Sequence, residues 1–321
     1  MNQLSFSGEW NPEGAFWKNN VVFFANEDRF EASHYSEPLT IFAQGWSDPA
    51  GIKAILDFVA PEVPAPRRFD FKRPASNAEA FAIEDNDIRA IGSGFKTVDF
   101  TSESQESMTL NKGLCVRLDD DVLADNPQYE EIYVGALLSL LYRMEFKRAV
   151  TALESIATAA SKTWNSAASP DDDVAEMLSA AEDASGLANN RLLYGQLAFR
   201  TRCACLRVAS DGKAAMGAGG LDQLALTLGV SGIRVSGHRY QETATTKGRI
   251  VPSAAFSFYG SSENLLDDPT HIKRFITPIE KGQTVRVFRE RIGVKVVELG
   301  IEFYSRIVAA STVGARVLNI V

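Results

Sequence analysis

The 321-residue chain is 45% hydrophobic and 23% charged, ordinary proportions for a globular protein long enough to bury a sizeable core in two domains or one elaborated one. Its net charge of -8 argues against a protein whose main work is neutralising nucleic-acid phosphates, because its Lys and Arg residues are scattered and form no basic stripe. No apolar run approaches the ~20 residues needed to cross a bilayer, and MNQLSFSGEW lacks the basic start and apolar centre of a signal peptide; the expectation is a cytoplasmic chain with no membrane partner.

Residues 1–47 are rich in aromatics without a clean period. GAFWKNNVVFFANEDRF carries Phe16, Trp17, Phe23 and Phe24 among Asn and charged residues, too apolar for a disordered tail and too irregular for an amphipathic helix. Two readings stand: an arm that buries its aromatics against something else, or a segment that packs on its own domain. A helix is expected over 48–60, where Ile52, Ile55, Leu56 and Val59 recur at helical spacing after Asp48 and Pro49. Three prolines in PEVPAPRRF then hold the chain extended.

From Asp70 to about Leu118 the chain reads as a long, polar, extended excursion, with strand-like KTVDF and SMTLNKGLCVRLD flanking TSESQE. Excursions of this length serve function or assembly. It contains AIGSGFKTVDF, in which Gly92, Gly94, Lys96 and Thr97 resemble a phosphate cradle. The spacing is short of the four residues such a loop needs, Phe95 stands before the lysine, and a strand pattern follows where a helix is required. A flexible loop or hairpin tip is the better reading.

The strongest element is a helix over 127–161. Asn126 can cap it, Pro127 sits in its first turn, Glu130 and Glu131 lie near the positive dipole end, and Val134, Leu137, Leu138, Leu141 and Met144 share a face. Such a rod would be roughly 50 Å long, more than a compact domain needs. A second helix follows from Ser169 as cap through Pro170 to Gly186. NNRLLYG reads as a strand, QLAFRTRCACL as a helix and AAMGAGGL as a glycine-rich loop tip with Gly217, Gly219 and Gly220. LALTL, GIRVSG, IVPSAAFSFYG, TVRVFRER, GVKVVELGIEFYSRIVAA and ARVLNIV complete a strand-rich distal half. The fold class is therefore α+β.

Motifs of chemistry fail on spacing. Asp171, Asp172 and Asp173 occupy a helix first turn, where capping accounts for them, and Asp119, Asp120 and Asp121 read as a solvated turn. GVSGI, from Gly229, brings its second glycine one residue early for a nucleophile elbow. GAGG lacks the preceding strand and third glycine of a dinucleotide fingerprint. Cys115, Cys203 and Cys205 are too few for a disulfide framework and show no zinc spacing, and His34, His238 and His271 lie far apart. No catalytic residue, metal or cofactor is expected.

The ordered set of features resembles the major capsid proteins of tailed bacteriophages, which share the Hong Kong 97-type fold. The resemblance is carried by FDFKRP with EAF (69–81), IRAIGSGF (88–95), LNKGLCVRLDDDVLADNP (110–127), LLYRMEFKRAVTAL (140–153), TWN (163–165) and SGLANNRLLYG (185–195). It implies an N-terminal arm (1–47), a peripheral-domain segment (48–67), an extended loop (68–118), a peripheral domain (119–186) with spine helix 127–161, an axial domain (187–300) and a return to the peripheral domain (301–321). Assembly contacts implied are Phe16, Trp17, Phe23 and Phe24 of the arm, Arg89, Gly92, Gly94, Phe95 and Lys96 of the loop, and Gly217, Gly219 and Gly220 of the axial tip.

Implied partners are further copies of the chain in hexamers and pentamers of an icosahedral lattice, a portal, and packaged double-stranded DNA held without sequence-specific contacts. Only about 67 residues precede the loop, so a separate scaffold protein and no N-terminal trimming are expected. The resemblance implies a virion capsid location after assembly in the host bacterial cytoplasm. No Lys–Asn cross-linking pair can be matched. An encapsulin-like compartment shell is the alternative within the fold; a cytosolic hydrolase or nucleotide-binding enzyme is the alternative outside it.

Overall fold

Residues 34–74, 91, 102–119, 121, 128–165, 168–209, 220–261, 265–279 and 282–321 are described by the structure, a computed structural model. Helix α1 (Glu37–Gly45) emerges from the stretch whose pattern gave no period. It is pinned by Thr40, whose hydroxyl donates to the Ser36 carbonyl and accepts from the Val287 N–H. Helix α2 (Ile52–Val59) lies where its spacing placed it, with Ile52, Leu56 and Val59 fully buried. The Asp48 carboxylate accepts the N–H groups of Ala50 and Lys53, which satisfies orphan donors at this helix start.

After β1 (Glu62–Pro64) comes an antiparallel hairpin of β2 (Arg68–Pro74) and β3 (Ser102–Met108), in register from Arg68 opposite Met108 to Pro74 opposite Ser102. The serine-rich run, read as a spacer between strands, is thus itself a strand. Backbone pairing to β2 makes it so, since its side chains carry no apolar alternation. Strand β4 (Leu110–Asp119) follows, as SMTLNKGLCVRLD implied.

The long helix, α3, runs Tyr129–Ile156, 28 residues or about 42 Å. It ends five residues before the expected stop, because Thr158–Lys162 leaves the helix to form β5, a parallel partner of the last strand. Then come α4 (Pro170–Ser185), β6 (Arg191–Gly195), α5 (Gln196–Ala209) and α6 (Leu221–Thr227). Helix α6 replaces the strand expected at LALTL: Leu224 and Ala225 are buried side by side while Leu226 is 83% exposed, which alternation would not allow. Strands β7 (Gly232–Ser236), β8 (Arg239–Gln241), β9 (Lys247–Arg249), β10 (Ala254–Phe258), β11 (Ile272–Ile276), β12 (Arg286–Ile292), β13 (Val296–Ala309) and β14 (Arg316–Ile320) complete the chain.

Two five-stranded sheets result. In the first, β13 is the organiser: β4 pairs along one edge, while β12 and then β11 share the other, and β1 adds in parallel to β11. The second has the order β5-β14-β10-β6-β7. The last strand therefore sits inside the sheet of β6, β7 and β10, whereas β12 and the start of β13 belong with β4. Residue 300 is not a boundary between sheets.

Helix α3 serves both. Val134, Leu137, Leu138 and Leu141, in its first half, pack with Val287, Leu299 and Ile301 of the first sheet. Phe146, Ala149, Val150 and Leu153, in its second half, pack with Leu193, Phe256 and Val317 of the second, together with α2. One rod thus unites two cores, which is why so long a helix is retained. Beyond the second sheet, α4, α5 and α6 bury Val174, Met177, Leu178 and Leu224 against Leu192, Ile233 and Leu318.

Candidate assembly surface

Several of the groups that sequence reading weighed as chemistry have structural partners. Asp171 accepts two hydrogen bonds from the buried Arg202 guanidinium, and Asp173 accepts the Trp164 indole N–H at 2.9 Å. The triplet was expected to cap α4 through its backbone; instead two of its members tie α4 to α5 and to the segment after β5, and Ser169 makes no side-chain cap bond. Asp121 pairs with Lys295, and Asp119 accepts the Asp121 N–H. Ser231, in GVSGI, donates to the Asn190 carbonyl. His271 is buried and accepts the Tyr259 N–H at Nδ1, with Nε2 2.8 Å from the Val313 carbonyl. Among the described residues no three His, Cys, Asp or Glu side chains group as metal ligands would.

Buried charge is spent on joining elements. Glu145 of α3, with a side chain 1% exposed, accepts Lys112 Nζ of β4 at 2.7 Å, the Ser305 hydroxyl of β13 at 2.9 Å and the Arg148 guanidinium. Burial pushes this carboxyl up, but the Lys112 and Arg148 charges outweigh it and hold it below the ordinary range. Arg274 of β11, also buried, reaches Asp57 of α2 and Glu62 of β1. Lys273 beside it is held by Asp268 and by the carbonyls of Leu265, Leu266 and Asp268. These pairs explain how IKRFI, with two central charges, lies in a sheet interior.

What the molecule presents outward is a hairpin and two open grooves. The β2–β3 hairpin is anchored at its root, and farther along β2 the Lys72 N–H donates to the Asp267 carboxylate at 2.9 Å. Phe69 stacks on Phe275 with ring centres 4.3 Å apart, Phe71 lies 5.7 Å from the same ring, and the Thr109 and Thr277 hydroxyls meet at 2.7 Å. Between this root, the end of α3 and β13 lies a groove of about 690 Å³, with Arg73, Glu106, Ser155, Arg306 and Thr312 on its walls. A second groove, of about 370 Å³, runs between α1 and the first half of α3, floored by Phe42, Trp46, Ile132 and Gly135. Ile41, Ile132 and Leu140 stand half exposed or more on α1 and α3. Apolar side chains displayed on open surface suit a second protein surface, not a small molecule.

Of the assembly contacts named from sequence, only Gly220 falls within the described residues, exposed and at the start of α6. Phe16, Trp17, Phe23, Phe24, Arg89, Gly92, Gly94, Phe95, Lys96, Gly217 and Gly219 lie outside them, as do the helix start at Asn126 and Pro127 and most of AIGSGFKTVDF. The anchoring side chains Phe69, Phe71 and Phe275, and the Glu145 junction, were not singled out. Phe69 and Phe71 at alternate positions of FDFKRP were the available signal.

No family model matches the chain, and no curated protein sequence matches it. Its fold has solved counterparts. The phage-related protein of Bordetella bronchiseptica superposes with a TM-score of 0.65 at 16% identity, over 89% of this chain and 96% of that one. A protein described as a prophage capsid protein, from Escherichia coli CFT073, superposes with a TM-score of 0.52 at 12% identity, over 89% of this chain and 99% of that one. The architecture is that of the Hong Kong 97-type capsid fold, and the likeness extends over nearly the whole length of both counterparts.

Proposed function

We propose that this chain is the major capsid protein of a tailed bacteriophage, a subunit that assembles with copies of itself into the icosahedral shell around a double-stranded DNA genome. The observation that carries the reading is the fold likeness, which extends over 89% of this chain and 96% and 99% of the two solved counterparts. The chain's own physics supports it. A hairpin fixed to its body by three phenylalanines at one end, and grooves bordered by exposed Ile41, Ile132 and Leu140, leave apolar surface to be covered by neighbours. Closed symmetry turns many such modest contacts into a durable container.

In this reading the work of the molecule is mechanical. The ion pairs at Glu145 and Arg274 join helix to sheet without exposed apolar area, so the body behaves as one plate while hairpin and grooves make contact. Hexamers and pentamers are the expected units, with a separate scaffold protein and a portal as partners and assembly in the host cytoplasm before incorporation in the virion. A net charge of -8 suits a shell that contains DNA without gripping it. Sedimentation velocity with negative-stain microscopy of the protein expressed alone tests this. Rings, sheets or closed shells are expected; a small oligomer stabilised against heat by nucleotide would contradict it.

A further inference from the structure

The β8–β9 hairpin breaks a rule of sheet pairing. Arg239 stands directly opposite Arg249, and Lys247 follows opposite Gln241, so that one face of this exposed ribbon carries three cations. Like charges directly opposite destabilise a pair of strands. None of the three has an ion pair or side-chain hydrogen bond among the described residues. The other face is the anchored one: the Lys147 ammonium of α3 lies 3.2 Å from the centre of the Tyr240 ring, which in turn covers Gly248. The hairpin is thus clamped to α3 with its cations turned away, in a chain whose net charge is negative.

The complement is on the same chain. Along α4, Asp172, Glu176, Ser179 and Asp183 are exposed and spaced to form one stripe, opposite Val174, Leu178 and Ala181, which are buried. From Asp172 to Asp183 the stripe runs about 16 Å, long enough to span both cross-strand pairs of the ribbon. Helix α4 packs on β14 and β10 of the second sheet and reaches its β5 edge, away from β7. The hairpin follows β7, at one edge, while Glu176 and Asp173 of α4 pair with Lys162 of β5, at the other. Two different, complementary patches on one chain are what a head-to-tail ring requires.

We infer that the Arg239, Lys247 and Arg249 face of this hairpin docks on the Asp172, Glu176 and Asp183 stripe of α4 in a second copy of the chain, as a contact between successive subunits of one ring. The inference rests on the shell reading and gives it a specific interface. Both faces are surface charges, although Glu176 also pairs with Lys162 of β5, so circular dichroism and urea unfolding of each variant verify that the fold is kept.

The test is a charge exchange on the full-length protein, read by sedimentation and electron microscopy. R239E/K247E/R249E is expected to lower the yield of rings and shells at least tenfold, and D172K/E176K/D183K to do the same. The chain carrying all six changes is expected to recover most of the wild-type yield. Wild-type assembly by either triple variant overturns the inference, as does failure of the sixfold variant to recover. Shells that form normally with R239E/K247E/R249E but retain less DNA would also overturn it and assign the patch to nucleic acid. A wild-type protein that stays a small oligomer stabilised against heat by nucleotide defeats the shell reading itself, and this contact falls with it.

Discussion

Glu145 is the residue on which the two halves of the first core turn. Its carboxylate is the shared acceptor for Lys112, Arg148 and Ser305, and Lys112 is itself only 14% exposed. Glu145→Ala strands that ammonium in the interior and is expected to cost about 3–5 kcal/mol, because an unpaired buried charge keeps its desolvation penalty without its Coulomb partner. Urea unfolding of the assembly-incompetent subunit measures it. Exchanging Glu145 and Lys112 together for apolar residues should restore most of the loss, and a double variant no better than Glu145→Ala would show that the charges are not coupled.

His271 supplies the pH dependence. Burial pushes this imidazole below its ordinary value near 6.5, although the Val313 and Tyr259 carbonyls oppose the shift. Above the unfolded value neither state is protonated and the residue's contribution is complete. As pH falls below about 6.5 the unfolded chain binds a proton that the folded one refuses, so stability declines. His238, also lowered by burial, acts in the same direction. The urea midpoint should therefore drop between pH 7 and 5.5, and His271→Gln should flatten that drop while lowering the midpoint at pH 7. Parallel pH profiles for the two proteins would rule His271 out as a source.

At the scale of elements, junctions carry the risk. Gly195 ends β6 as α5 begins, and a Cβ there would lie 1.8 Å from the Pro252 carbonyl oxygen, a backbone atom with nowhere to go. Gly195→Ala is expected to abolish soluble expression or cost several kcal/mol. By comparison Gly229, at φ 69° with open space where a Cβ would stand, meets only the left-handed penalty, and its alanine variant should lose about 1–2 kcal/mol. Thermal unfolding of both variants would order them; equal losses would contradict the steric account. Replacing residues 74–102 by a short turn should leave the two-sheet body folded, since Phe69, Phe71 and Phe275 remain, yet abolish assembly. Shells formed by that deletion variant would remove residues 74–102 from the contact set.

Elements buried by their own apolar residues were legible from sequence: α2, α3 and α4 bury one face, and β12, β13 and β14 bury consecutive apolar residues. Those that depend on a neighbour were not. Strand β3 is polar on both faces and exists through its pairing with β2. Strand β11 hides its position behind Lys273 and Arg274, whose burial is possible only with acids 5 to more than 200 residues away. The end of α3 was overrun because TAASK suits a helix; its pairing with β14 is a long-range choice. The anchoring phenylalanines and the Glu145 junction needed the fold.

Among the described residues one long helix is shared by two sheets. That helix, of about 42 Å, fixes them in one body, a hairpin leaves the body from one end of its own aromatic cluster, and apolar and charged patches stand on separate elements. In the proposed shell each of these features, which costs a solitary protein something, would be covered by neighbouring copies. Electron cryomicroscopy of particles purified from cells expressing the wild-type chain tests this most directly. The account predicts hollow closed shells of hexamers and pentamers in which the β2–β3 hairpin lies on a neighbouring subunit. Discrete monomers or dimers whose hairpin folds back over its own grooves would contradict it.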